Sequence, residues 1–182
     1  GGVPSWLGFL PNLQYLYLAN NSFTGILPSS LFNDSKLEDM RIPYSQLEGI
    51  IAEEIGNLGN LKILDLQDNE LMGSIPRTLF NISSLQVITL TNNSLSGTLP
   101  MNICTKLPKL QGIYLSRNLL SGQILSRFKN CTELQSLLLS MNNFSGQIPR
   151  EVGNLTMLSR LRCGYNMFEG TCLHERQLCF IN

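Results

Sequence analysis

The side chains best suited to chemistry are acidic and basic groups that recur at strand-like positions. Asp39, Asp65 and Asp68 could form a set of carboxylates for acid–base catalysis or for calcium binding. Acid–base catalysis needs carboxyl groups in a desolvated pocket, and calcium needs roughly six to eight oxygen ligands. The alternating pattern around these acids predicts an open strand face instead, on which we expect ordinary pKa values. We therefore predict no enzyme activity and no cofactor.

Histidine and cysteine chemistry is equally sparse. His174 is the only histidine, and no nucleophile motif accompanies it. Cys172, His174 and Cys179 lack zinc-site spacing and a fourth ligand, so no metal site is expected. Cys172 and Cys179 could form a terminal disulfide or remain two thiols. Cys131 and Cys163 occupy apolar positions and are predicted to be buried thiols, and with five cysteines at least one is unpaired.

A repeat of 24 or 25 residues positions all of these groups. Its pattern is L-x-x-L-x-L-x-x-N-x-L-x-G-x-I-P, complete from Leu61 to Pro76. The L-x-L part alternates like a half-buried strand, and the period predicts a stacked solenoid. We expect an α/β repeat fold with a parallel concave β-sheet and short 3-10 or helical turns on the convex side. The expected divisions are a partial leading repeat at 1–12, seven repeats at 13–172 and a divergent tail at 173–182. The opening leucines are Leu13, Leu37, Leu61, Leu85, Leu110, Leu134 and Leu158.

Two polar positions inside the repeat carry structural predictions. An asparagine at the ninth position of six copies is expected to bind backbone groups of neighbouring turns, because buried backbone groups must find partners. Ser45 replaces it in the second copy and predicts a local weakness. A glycine four residues later, in all seven copies, predicts a tight turn or a close backbone approach.

The segments 69–76 and 142–149 show the L-x-G-x-I-P motif, and the pattern resembles the plant-type leucine-rich repeat over roughly residues 1–172. Residues 54–58 and 151–155 are similar to the ectodomains of plant leucine-rich-repeat receptor-like kinases. The resemblance implies a right-handed solenoid that perceives a peptide or microbial ligand at the extracellular face of the plasma membrane, in defence or development. Signalling in that family also needs a membrane span and a kinase, which this sequence does not contain.

Three functional interpretations follow from the resemblance. The first is a ligand-recognition segment of such a receptor. The second is a secreted, apoplastic inhibitor similar to polygalacturonase-inhibiting proteins. The third is a truncated product without activity, since the expected cysteine-bearing cap is missing and the seventh copy decays. Uncapped ends predict an exposed apolar interior and low solubility of the isolated chain.

Tyrosines and charges define the predicted ligand-binding face. All five tyrosines fall at positions predicted to point outward from strands, and tyrosine is enriched at interfaces. One interpretation is a dipolar groove for an extended peptide, with arginines receiving a carboxylate; the other is a solvated sheet face without a ligand. The expected partners are a peptide or protein ligand and a co-receptor. The predicted face comprises Tyr15, Tyr17, Asp39, Arg41, Tyr44, Asp65, Asp68, Tyr114, Arg117, Arg160, Arg162 and Tyr165.

Charge and sequons suggest the environment. The net charge is zero, which argues against nucleic-acid binding. Residues 1–91 hold four basic and nine acidic side chains and residues 92–182 hold nine and four, which predicts a charge dipole along the solenoid. N-x-S/T sequons predict a secreted glycoprotein surface. The predicted glycosylation sites are Asn20, Asn33, Asn81, Asn92, Asn130, Asn143 and Asn154.

Overall fold

Among the residues that the structure describes, fourteen strands alternate along the chain between two parallel sheets. The structure is a computed structural model. It describes residues 1–33, 36–101, 103–123, 128, 130–148 and 150–169. The strands are β1 to β14 in chain order; odd-numbered strands form the first sheet and even-numbered strands the second.

The first sheet is built from the L-x-L part of each repeat. Its strands pair in register, so that Leu16, Met40 and Leu64 form one buried column. Strands pack about 4.8 Å apart while the opposite side carries bulkier turns, so the stack bends with this sheet concave. Its strands are β1 (Tyr15–Tyr17), β3 (Asp39–Arg41), β5 (Ile63–Asp65), β7 (Val87–Thr89), β9 (Gly112–Tyr114), β11 (Ser136–Leu138) and β13 (Arg160–Arg162).

The second sheet was not predicted from the sequence. Its Ser- and Gly-containing segments have low strand propensity, but successive coils superpose them in register, and the extended backbones then pair. In this way Met72 of one coil faces Ser94 of the next. Its strands are β2 (Thr24–Gly25), β4 (Gln46–Gly49), β6 (Glu70–Ser74), β8 (Ser94–Thr98), β10 (Leu119–Gln123), β12 (Asn143–Gln147) and β14 (Met167–Glu169).

Short helical turns close the coils on the convex side. Except for the first, at Ser5–Phe9, each begins soon after a second-sheet strand, and four of them bury one or two apolar side chains, such as Leu31 and Phe32. The described 3-10 helices are Ser5–Phe9, Ser29–Phe32, Glu53–Asn57, Arg77–Asn81 and Arg150–Asn154, and a short α-helix spans Ile103–Lys106. Together with both sheets they enclose one continuous apolar core.

The predicted asparagine ladder is present. Asn69 accepts a hydrogen bond from the Leu47 N–H at 3.1 Å and donates to the Ile42 carbonyl at 2.8 Å. Four later copies repeat both bonds, at Asn93, Asn118, Asn142 and Asn166. The ladder stops at Ser45, whose hydroxyl instead donates to the Asn21 carbonyl at 3.1 Å.

The predicted backbone role of the repeat glycine is confirmed for six copies, in which φ lies between +75° and +93°. At Gly49 a Cβ atom would lie 2.8 Å from Cγ2 of Ile26, so a side chain would be both strained and crowded. Gly170 of the seventh copy lies outside the described residues.

The cysteines differ from expectation at one point. Cys131 was predicted to be a buried thiol, but it forms a disulfide with Cys104 in the adjacent coil. Cys104 follows Ile103 in the short α-helix, where the stacking brings the two Cα atoms to 4.9 Å. Sequence spacing alone does not show which turns of neighbouring coils coincide, so this pairing was missed. Cys163 is half-buried, and Cys172, His174 and Cys179 lie outside the described residues.

Candidate functional site

The concave face presents two outward columns of side chains, one at each end of its short strands. The first column runs from Tyr15 through Asp39 to Arg160, and the second runs from Tyr17 through Arg41 and Asp65 to Arg162. Eight of the predicted ligand-binding residues lie in these columns: Tyr15, Tyr17, Asp39, Arg41, Asp65, Tyr114, Arg160 and Arg162.

A hydrogen-bonded cluster occupies the amino-terminal end of this face. Arg41 binds Asp39 through two parallel hydrogen bonds of 2.8 Å, from Nε to Oδ1 and from a terminal nitrogen to Oδ2. The Tyr17 hydroxyl donates to the same carboxylate at 2.9 Å, and the Arg41 guanidinium lies over the Tyr17 ring, 5.4 Å from its centroid. The hydrogen bond to Asp39 raises the pKa of both Tyr17 and Arg41.

Asp65 is the neighbouring acid that does not take part in this hydrogen-bonded cluster. It lies beside Arg41 in the sheet, and its Oδ1 accepts the Gln67 backbone N–H at 3.1 Å. Burial raises the pKa of its carboxyl above the ordinary value, against the lowering effects of Gln67 and Arg41. Our expectation of ordinary pKa values is therefore wrong for Asp65, because neighbouring coils partly cover an otherwise open face. Glu38, by contrast, is paired with Lys62 at 2.6 Å.

The first column is apolar on β5 and β7, a feature that was not singled out from the sequence. Ile63 and Val87 occupy adjacent positions in the first column and are half-buried. Further along, the Tyr114 ring folds back over Gly112, so that a Cβ atom on that glycine would lie 2.6 Å from the ring. The sequence does contain a signal for this apolar feature, because Ile63 and Val87 occupy the same outward-facing strand positions of the repeat as the tyrosines.

Four predicted residues do not lie on strands. Tyr44, Asp68, Arg117 and Tyr165 lie in the turn after their strand, with φ between +53° and +57°. Their assignment to strands was wrong because the strands are only three residues long and the chain turns before reaching them. They form one column, called here the left-handed rim, which consists of Asn20, Tyr44, Asp68, Asn92, Arg117, Met141 and Tyr165.

The carboxy-terminal end of the face is basic. Arg160 and Arg162 are exposed on β13, the last described strand of the concave sheet, and Arg117 is exposed on the rim. None of these three guanidinium groups forms an ion pair with a described residue. Asp65, on β5, and Asp68, in the turn after it, lie towards the middle of the face, so acidic and basic groups are separated along the stack in the sense that the predicted charge dipole requires.

All seven sequon asparagines are exposed. Asn33, Asn81 and Asn154 lie on the convex side in or next to the closing turns, and Asn130 occupies the same position of its repeat, whereas Asn20 and Asn92 lie on the left-handed rim. Asn143 is exposed on β12. These positions are accessible to modification, and glycosylation itself stays a prediction.

Neither a metal-binding cluster nor a membrane-spanning helix is found among the described residues. No group of three or more His, Cys, Asp or Glu side chains there could hold a metal ion. The helices found there are too short to cross a bilayer.

Comparison with known proteins identifies the family of this chain. Family models described as leucine-rich repeat match residues 59–120, 12–33 and 133–155. The chain belongs to the leucine-rich repeat family. It is a protein of the plant type, as its similarity to solved receptor structures shows. A search of curated proteins gave no significant match.

Three solved structures illustrate the similarity. The chain is 34% identical over 93% of its length to the ectodomain of the Arabidopsis receptor kinase HAESA, solved with an IDA peptide hormone that carries an N-terminal extension, with a TM-score of 0.89. It is 31% identical over 92% of its length to PEPR1 in the PEPR1–AtPEP1 structure, with a TM-score of 0.81. It spans only 28% and 27% of those two chains. Against the ectodomain of the receptor kinase SOBIR1 from Arabidopsis thaliana, identity is 31% over 71% of this chain and 72% of that one, with a TM-score of 0.65.

Proposed function

We propose that this chain is a ligand-recognition segment of the extracellular part of a plant receptor kinase and binds an extended peptide along its concave face. The proposed role is binding without catalysis. The observation that carries it is the separation of charge along the face: arginines that lack ion-pair partners among the described residues lie at its carboxy-terminal end, and Asp65 lies four strand steps away on β5. HAESA, which was solved with the peptide hormone IDA, supports the ligand class.

The dimensions of the face suit a short peptide. From β5 to β13 there are four strand steps, or about 19 Å at ~4.8 Å per step. An extended chain covers that distance in about six residues at ~3.3 Å each. We propose that Arg160 and Arg162 receive the terminal carboxylate, because guanidinium groups bind carboxylates through paired hydrogen bonds. The amino-terminal half of the peptide then contacts Ile63 and Val87.

The compartment is proposed to be extracellular. A disulfide between Cys104 and Cys131 forms and persists in oxidising environments. Seven exposed sequon asparagines agree with passage through the secretory pathway. A co-receptor is proposed as a second partner, since HAESA was solved with the co-receptor SERK1 as well as with its peptide.

Terminal amidation of the ligand tests this proposal. Binders would be selected from synthetic peptides of about nine residues or more, long enough to cross all seven strands, and each would be remeasured with an amidated carboxyl terminus. Amidation should weaken binding to the unmodified protein about tenfold, or ~1.4 kcal/mol, and should have little effect on Arg160→Gln/Arg162→Gln. The control, Arg77→Gln/Arg150→Gln, changes exposed arginines of the convex turns. Equal binding of acid and amide forms to the unmodified protein would contradict the proposed carboxylate contact.

A further inference from the structure

A ridge of exposed apolar side chains crosses the outer face of the second sheet, away from the concave face. Ile26 is 66% exposed, Ile50 62% and Met72 52%. Each isoleucine reaches over the glycine of the next coil, with Cγ2 of Ile26 2.8 Å from where a Cβ on Gly49 would lie and Cγ2 of Ile50 2.9 Å from that on Gly73. Met72 precedes Gly73, so the three side chains form one continuous strip.

The strip lies at the first three strands of this sheet, with Ile26 and Ile50 directly after β2 and β4 and Met72 on β6. Leu119, at 55%, is the one large apolar side chain exposed on β8, β10 or β12, and Met167, at 56%, is exposed on β14 at the far end. The other outward residues of β8, β10 and β12 are polar: Ser94, Ser96, Thr98, Ser121, Gln123, Asn143, Ser145 and Gln147. A solenoid can therefore present a polar second sheet, and the fold does not require exposed isoleucines at this end. Clustered exposed apolar groups mark interaction surfaces more often than isolated ones do.

Two glutamates lie beside the strip. Glu48 and Glu70 are register partners on β4 and β6, so their carboxylates leave neighbouring strands side by side. Like charges in that arrangement repel, and neither glutamate pairs with a basic side chain among the described residues. The strands β2, β4 and β6 contain no lysine or arginine.

An open groove borders the strip on its β8 side. Its volume is about 340 Å³, and it is lined by Asn69, Glu70, Met72, Asn92, Asn93 and Ser94. It thus brings one of the two carboxylates and the thioether of Met72 into a single depression. A long cationic side chain could lie against both, with its methylenes on Met72 and its charge near Glu70.

We propose that this acidic ridge, comprising Ile26, Ile50, Met72, Glu48 and Glu70, docks a segment of a partner protein in which apolar side chains are flanked by lysine or arginine. Burial of the isoleucines supplies the driving force. A cation between Glu48 and Glu70 relieves their repulsion and orients the partner. None of the sequon asparagines lies on β2, β4 or β6. Asn92 lines the groove on the β8 side, so a glycan on Asn92 would border the groove and leave Ile26 and Ile50 clear. The ridge is separate from the concave face and acts whether or not that face binds a peptide.

A designed probe tests the chemistry of the ridge directly. The probe is a fluorescent, end-capped peptide of alternating leucine and lysine, about eight residues long, whose period matches one face of an extended strand. Anisotropy is measured at about 0.15 M salt, where charges farther apart than ~8 Å are screened. Comparison peptides carry glutamate for lysine, or serine for leucine. The full chain should bind the leucine–lysine peptide at least about tenfold more tightly than either comparison.

Paired substitutions locate the binding. Ile26→Ser/Ile50→Ser and Glu48→Gln/Glu70→Gln should each weaken binding of the leucine–lysine peptide about tenfold. Leu119→Ser/Glu133→Gln removes another exposed apolar group and another exposed acid outside the ridge and should leave binding unchanged. All of these positions are exposed, and unchanged circular dichroism checks that the variants fold. Absence of binding, equal binding of the leucine–glutamate peptide, or full binding to the ridge variants would each overturn the proposal.

Discussion

The Tyr17 hydroxyl donates a hydrogen bond of 2.9 Å to Oδ2 of Asp39 and so joins the first two strands of the concave sheet. Asp39 is only 6% exposed, and a buried carboxylate is tolerated when it is paired and hydrogen-bonded. Arg41 supplies the pairing charge in bidentate geometry. Asp39 is thus committed to internal contacts, and Tyr17 and Arg41 are the members of this cluster that face a ligand.

Removing the tyrosine hydroxyl should measure this link. Tyr17→Phe is expected to lower the free energy of unfolding, because Asp39 loses one donor while its pairing with Arg41 remains. Tyr15→Phe is the matched control, since the Tyr15 hydroxyl has no hydrogen bond with a described residue in this structure. Urea unfolding of both variants gives the comparison, and equal losses would show that the Tyr17 hydroxyl contributes nothing specific.

The break in the asparagine ladder can be repaired. Ser45→Asn should add the two bonds that the other copies have, from the Phe23 N–H to the new Oδ1 and from the new Nδ2 to the Leu18 carbonyl. Each hydrogen bond contributes about 0.5–1.5 kcal/mol. We therefore expect the free energy of unfolding of the variant to be about 1 kcal/mol higher, as measured by urea and thermal unfolding.

The reverse change serves as its control. Asn69→Ser creates the same break one coil later and removes the bonds to Leu47 and Ile42. It should destabilise the chain by at least the amount that Ser45→Asn stabilises it, because those backbone groups are already buried. A destabilising Ser45→Asn would mean that the coils around Ser45 have relaxed around serine. A stabilising Asn69→Ser would contradict the contribution of the asparagine ladder to stability.

The raised pKa of Asp65 predicts that its effect on stability depends on pH. Its folded pKa lies above the ordinary value because burial disfavours the charged carboxylate, so folding is penalised at pH values above that pKa. The penalty is relieved as pH falls through the folded pKa, since the native state then holds the extra proton. Asp65→Asn should therefore raise the free energy of unfolding at pH 7, by less than about 1 kcal/mol because the group is partly solvated.

The gain should shrink as pH is lowered towards the ordinary carboxyl pKa of 3.8. Glu53→Gln, an exposed acid of a convex turn, reports the change caused by net charge alone. Urea unfolding at several pH values between neutral and acidic separates the two variants. A constant gain across that range would assign the effect of Asp65→Asn to something other than carboxyl ionisation.

The fold could be predicted largely because one pattern recurs from repeat to repeat: leucines such as Leu64 and Leu66 point inward, and an asparagine such as Asn69 hydrogen-bonds to the neighbouring coil. The features that were not predicted depend on how the coils stack. The second sheet arises from superposition of weak segments such as Ser94–Thr98, and the Cys104–Cys131 bond depends on which turns coincide. The placement of Tyr44 failed for a related reason, because a three-residue strand ends before the alternation that its sequence suggests.

The disulfide should stabilise the stack measurably. It joins residues 27 apart, and closing a loop of that order contributes about 3 kcal/mol. Cys104→Ser/Cys131→Ser should lower the free energy of unfolding by about that amount. Peptide mapping without reductant should recover the fragments containing Cys104 and Cys131 as one cross-linked species. Alkylation of Cys131 in the native, unreduced chain would contradict the assignment.

Bulky residues on the left-handed rim predict a conflict between stability and binding. Tyr44 and Tyr165 have φ of +56°, a region that disfavours most side chains by about 1 kcal/mol but that asparagine tolerates well. Asn20 and Asn92 occupy the equivalent turns of other coils. Tyr44→Asn and Tyr165→Asn should therefore each raise the free energy of unfolding by about 0.5–1 kcal/mol in urea.

If the rim contacts the peptide, the same variants should bind selected peptides several-fold more weakly, since each loses an exposed aromatic ring. Asn92→Tyr, the reverse change on the same rim, should lower stability. A loss of stability in Tyr44→Asn or Tyr165→Asn would show that the rings stabilise the coil themselves and that strain does not explain the rim.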